Sequence, residues 1–154
     1  MVDYDLKQAL PLLLPKAIEW AEAVAAHAVS NGRVLTEREM EITLRVGVAQ
    51  PELVRVAMVD RMPMPDDPAL REAASQTGLL GLGAVGLTLG HTVFIVNGHI
   101  SDRLIAHELR HVYQYEQAGS IRNFLPVYLR QIVECGYVGA PLEKDARAHE
   151  HLAF

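Results

Sequence analysis

The strongest constraint on this chain is a short run two-thirds of the way along it, His107-Glu108-Leu109-Arg110-His111. It falls inside a stretch that reads as one helix from Ser101 to about Gln117, closed by Gly119. Side chains four apart on a helix share a face, about 5–6 Å apart at Cβ. At about 100° per residue, Ile105, Leu109 and Val112 make one apolar stripe, with Ala106 and Tyr113 beside it. His107, Glu108 and His111 fall on the opposite side with Leu104 and Tyr115. A solvated helix would scatter Lys and Glu there, so this helix is expected to lie between a core and a cleft.

Two imidazoles at that spacing can bind one metal ion, with zinc–nitrogen bonds of about 2.0–2.1 Å. Glu108, one residue past the first histidine, lies on the flank of the same face, where it can hydrogen-bond a metal-bound water. Such a water has its pKa lowered toward about 7, and a neighbouring carboxylate can take its proton. A catalytic zinc also wants a third protein ligand and an open position. The downstream candidates are Glu116, Glu134, Glu143, Asp145, His149, Glu150 and His151. Glu116 points about 140° away from His111 on the same helix, which disfavours it. Glu143 follows Pro141 in the first turn of the last helix, where a carboxylate is favourably placed. Glu143 lies 32 residues beyond His111, enough for an antiparallel return.

Elsewhere the local signals are dense. Residues 5–30 read as a long amphipathic helix packed on the rest of the chain and stopped at Asn31-Gly32. Thr36 and Glu39 make a capping box for a second helix to about Val46. Leu53 to Val59 reads as a strand with Val54, Val56 and Met58 on one face. Asp67 and Pro68 open a short helix to about Gln76. Leu87–Leu89 and Thr92–Val96 read as two strands around Gly90-His91. A further helix ends before Gly136, and another begins near Pro141. The fold class is therefore α+β.

The run Gly81-Leu82-Gly83-Ala84-Val85-Gly86 has dinucleotide-binding spacing, but a strand rather than a helix follows it, so that reading is rejected. Five of the seven histidines fall after residue 98, whereas Cys135 is the one cysteine, which leaves no disulfide framework and no thiolate zinc module. Cys135 is expected to be a small buried hydrophobe, and Met58, Met62 and Met64 packing residues. A net charge of −5 argues against a nucleic-acid binder. Lys16, Glu19 and Glu22 interrupt the apolar run from Ala9 to Val29, and the first residues are acidic. No membrane span and no secretory signal are expected, and the location is expected to be cytoplasmic.

His107-Glu108-x-x-His111 with Glu143-Lys144-Asp145-Ala146 downstream resembles the gluzincin pattern, HExxH followed by ExxA on a later helix. The strands at Leu87–Val96, the run His111–Tyr115 with Gly119, and Gly136-Tyr137 leading to Pro141-Leu142-Glu143 are similar to the small bacterial metallopeptidase-like proteins of the DUF4157-like group. The resemblance covers roughly residues 36 to 147. It implies a single zincin-like domain over residues 1–154: an N-terminal helix (1–31) and a core (36–147) with a small twisted sheet and hairpin against the active helix. It also implies His107, His111 and Glu143 as Zn2+ ligands, Glu108 as general base, and a peptide or protein substrate.

Arg147 stands where larger gluzincins often carry an aspartate, so the outer partners of the histidines are open. So is the donor to an oxyanion, with Tyr128, Tyr137 and His149 as candidates. A zincin-like binding module, or a hydrolase of a non-peptide amide, are the other readings. If Thr92–Val96 is a sheet edge beside the cleft, a peptide could add to it as a strand. A histidine of the His149-Glu150-His151 tail could also reach the open metal position.

Overall fold

The computed structural model describes residues 5–81 and 83–154. The acidic start, Met1 to Tyr4, and Leu82 of the glycine run lie outside the described residues. Among the described residues there are six α-helices and three strands. The capping residues legible in the sequence set most boundaries. Helix α1 spans Leu6–Val29 and starts from the Asp5 carboxylate. Helix α2 (Glu37–Arg45) starts from the Thr36–Glu39 capping box. Helix α3 (Pro68–Thr77) has Asp67 as its N-cap and ends on Gly78 at φ 78°. Helix α4 (Asp102–Ala118) starts at Ser101 and stops at Gly119, φ 98°.

Helix α5 (Ile121–Gly139) is broken at Gly136 (φ 74°, ψ 167°), and α6 covers Pro141–Ala148. A single 3-10 turn, Glu150–Ala153, ends the chain. Among the described residues, no helix is long and apolar enough to cross a membrane.

Strands β1 (Arg55–Val59), β2 (Gly86–Leu89) and β3 (Thr92–Val96) form a mixed sheet in the order β1-β3-β2. β3 pairs parallel with β1, Val56 opposite Val93, and antiparallel with β2, Thr88 opposite Val93. Two expectations are corrected here. β3 is the central strand, buried on both faces, and no peptide can add to it. β1 begins at Arg55, because Pro51 lacks the N–H a ladder needs and Pro51–Leu53 turn as a 3-10 segment. Val54 and Val56 are buried as expected, but Met58, late in this outer strand, is 36% exposed. The outer edge of β1 is itself covered, since Arg33 exchanges two backbone hydrogen bonds with Val56 (2.9 and 2.8 Å).

Two clusters of buried apolar residues lie on opposite faces of this sheet. One joins Ile42 and Val46 of α2, Val56, Val93 and Ile95 of the sheet, and the Ile105, Leu109 and Val112 stripe of α4. The other joins Ile18 and Ala21 of α1, Phe94, Tyr115, and Phe124 and Leu125 of α5. Helix α1 is tied down at its rim by Lys16–Asp67 (2.8 Å) and Glu22–Arg122 (2.9 Å). Cys135, expected inside, is exposed. It lies one residue before the Gly136 break, where the last turn of α5 faces outward.

Candidate metal centre

The apolar stripe of α4 faces the first cluster as its periodicity requires. The opposite face is not open to water, however. His107, Glu108, His111 and Tyr115 are all buried, because α5, α6, the last turn and β2 close over them. Helix α6 supplies Glu143 from its first turn, 1% exposed, between the two imidazoles. His107 Nε2 lies 3.1 Å from one Glu143 oxygen and His111 Nε2 3.0 Å from the other. One ligand atom from each of the three residues falls within 4.8 Å of the rest, close enough to hold a metal ion.

The outer nitrogens decide what the inner ones can do. His107 Nδ1 donates to Glu150 Oε2 (2.9 Å), and a carboxylate only accepts. Gln114 donates its amide to Leu142 O and Asp145 Oδ2 (both 2.9 Å), which leaves Oε1 to accept from His111 Nδ1 (2.8 Å). Both Nδ1 atoms therefore carry hydrogen, and in the neutral rings both Nε2 lone pairs point at Glu143. Lone pairs set against carboxylate oxygens at 3 Å repel unless positive charge lies between them. A dication supplies that charge, and so do protons. Burial works against protonating His107, yet Glu143, Glu108 and Glu150 outweigh it and lift its pKa to about 9. Burial opposes protonation of His111 too, and the Glu143 and Glu108 carboxylates again prevail. Glu143 responds in the opposite sense: burial raises it, but His107, His111 and Tyr128 hold it well below the usual carboxylate range. Two imidazoles and a carboxylate in such a field are a donor set suited to zinc or a similar divalent ion.

Glu108 is held apart from these three. Its Oε1 accepts from the Thr88 hydroxyl (2.9 Å), and its carboxylate lies against Gly86, where an added Cβ would be 2.9 Å from Oε2. The glycine thus has a packing reason that its place in the Gly81–Gly86 run does not reveal. Tyr128 donates to Glu143 Oε2 at 2.6 Å. Tyr137, carried past the Gly136 break, lines the same cavity, and burial with Glu143 and Glu108 nearby pushes its hydroxyl well up, so it stays a donor.

Several other candidates lie elsewhere. Glu116 accepts from Ala49 N (2.7 Å), Gln50 N (3.0 Å) and His91 (2.9 Å), pinning the chain between α2 and β1. Asp145 pairs with Arg110 (2.8 Å) and supports Gln114. Glu134 is exposed on α5. His149 donates to Asp145 O (2.7 Å), and the tail reaches the site through Glu150 rather than through a histidine. That contact and Gln114 were not identified from sequence. Gln114 had a signal, since it stands three residues after His111 on the same face. Glu150, named above only as a possible metal ligand, had no signal for its place beside His107 Nδ1, because only the folding of the last turn against α4 brings it there.

No curated protein and no solved structure matches the chain. The hairpin and the HExxH helix nonetheless carry a family signature: residues 64–119 match the family model of the eCIS core domain, a DUF4157-related family.

Proposed function

We propose that this chain is a zinc-dependent hydrolase of zincin type that cuts amide bonds, with His107, His111 and Glu143 as ligands and Glu108 as general base. The observation that carries the reading is the convergence of both Nε2 lone pairs and a buried carboxylate on one point, with Glu108 beside it. A zinc ion held there would supply an acidified water and polarise the substrate carbonyl. Glu108, oriented by Thr88, accepts the proton of the water and passes it to the leaving nitrogen. The C–N bond and both O–H bonds of the water break in turn, both protons end on the leaving nitrogen, and a carboxylate and an ammonium leave. Tyr128 and Tyr137, whose hydroxyls both reach Glu143, are the donors at hand for the oxygen that gains charge. Burial by α5, α6 and β2 keeps bulk water away from these groups.

The match to the eCIS core domain supports a metal-binding hydrolase and does not choose its substrate. A peptidase follows from the gluzincin resemblance. A non-peptide amide is the second reading, favoured by the character of the cavity beside the centre. The test is metal content and hydrolysis together, on protein made without a histidine tag. About one zinc per chain is expected, with Glu108→Gln retaining it and losing about 10²–10⁴-fold in rate. Less than about 0.2 equivalents after reconstitution would sink the proposal.

A further inference from the structure

A cavity of about 140 Å³ opens onto the metal centre from the side of α1, α3 and α5. Its lining has an uneven chemistry. Among the described residues that line it, the charged or imidazole side chains are Glu108, His111 and Glu143, all at the centre itself. Tyr115, Tyr128 and Tyr137, whose hydroxyls interact with Glu108 or Glu143, and the Trp20 indole add polar atoms, and the remaining walls are apolar, from Leu6, Leu10 and Leu13 of α1 to Leu129 and Ile132 of α5. The two threonine hydroxyls of the wall have spent their protons: Thr77 donates to Ala73 O (2.9 Å) and Thr88 to Glu108. The wall is also long, since Leu6 to Ala21 extends for about 20 Å at 1.5 Å per residue.

We infer that the substrate carries a linear acyl chain, which fills this cavity while its carbonyl seats at the His107–His111–Glu143 centre. The inference rests on the proposed hydrolase reading for the head of the substrate, and on the cavity alone for the tail. A peptide threaded along these walls would bury N–H and C=O groups with few partners, each at a cost of kilocalories. An alkyl chain has no such groups and gains about fourfold in affinity per buried methylene. The elongated shape suits a chain better than a compact apolar group. The reaction is the hydrolysis described above, with water as co-reactant: the acyl C–N bond breaks, both protons of the water pass to the nitrogen, and a fatty carboxylate and an ammonium are released.

Straight-chain hydroxamic acids from two to ten carbons, titrated calorimetrically into the zinc-loaded protein, test this. Affinity is expected to climb by about fourfold per methylene before it levels as the cavity fills. A flat series overturns the inference. So does tighter binding by a tripeptide hydroxamate of equal apolar area, which would make a peptide the occupant. Ala73→Trp, which intrudes from α3, should weaken the ten-carbon compound at least tenfold with zinc content unchanged. Leu12→Ser, on the exposed side of α1, should leave the series as it is. Titrating 1-decanol into metal-free protein separates the two proposals: decanol bound without any zinc uptake upholds the cavity and sinks the metal centre. Zinc uptake with neither decanol binding nor chain-length dependence does the reverse.

Discussion

Helix α4 has two sides, and they are built differently. On one side Ile105, Leu109 and Val112 meet α2 and the sheet in aliphatic packing that leaves them at most 1% exposed. On the other, Tyr115 stacks on Phe124 (3.8 Å between centroids), Phe124 on Tyr128 (5.3 Å), and a cavity remains beside them. Both sides are buried, yet one is filled and the other is hollow. Dense packing fixes where His107 and His111 stand, while the hollow leaves open space beside them. Close-packed interiors resist displacement, so the filled side is the rigid reference for the site.

The largest expected contrast is in stability. Leu109→Ala removes a fully buried side chain and should cost about 3–4 kcal/mol, the cost of lost burial plus an unrelieved void. Leu129→Ala, already bordering the cavity, should cost about 1–2 kcal/mol. Urea unfolding of the two variants decides the matter. Equal costs would mean that the second side is as well packed as the first, and the contrast between them would fail.

That contrast also explains what could be read beforehand. Much that short-range rules set was legible: the Thr36–Glu39 capping box, Asp67-Pro68, the helix stop at Gly119 and the helix end before Gly136, though not the turn at Pro51–Leu53. The His107–His111 pair belongs to the same class, since four residues on a helix are a fixed distance. What escaped depends on how elements return to one another. Thr92–Val96 has the composition of any apolar strand, and its central place follows only from the β1-β3-β2 order. The periodicity of α4 shows which face is apolar and cannot show that α5 and α6 bury the other face as well. Helix α1 looked like a plain packed helix, and its role as a cavity wall depends on α5 lying against it.

A second, smaller effect separates the supports of the two histidines. His107 is held from the filled side, through Glu150 in the turn whose Ala153 joins the first cluster; His111 is held through Gln114 and, beyond it, α6. Loss of an outer partner of a ligand histidine costs about 10–100-fold in metal affinity. Glu150→Ala should therefore weaken zinc binding by that factor, and Glu150→Gln, which still offers an oxygen, by less. Competition titration with a chelator reads both. If Glu150→Ala left zinc affinity untouched, the tail would be packing only.

The smallest effect lies furthest from the centre and tests whether the filled side is anchored electrostatically as well as by packing. Glu39, at the start of α2, accepts from both terminal nitrogens of Arg33 (2.7 and 2.9 Å) and from Thr36 N (3.0 Å). Burial alone would raise its pKa, but these donors outweigh burial and hold it below the ordinary carboxylate range. A carboxyl with a depressed folded pKa binds fewer protons folded than unfolded just below its ordinary pKa. Its contribution is thus complete above about pH 5, the usual Glu pKa being about 4.3, and is lost as pH falls through the lower folded value. Glu39→Gln should cost about 1 kcal/mol at pH 7, within the range of a capping interaction, and the gap to wild type should narrow below about pH 4. A gap that stayed constant from pH 7 to pH 3 would assign the loss to packing of the side chain, and the filled side would owe nothing to this charge.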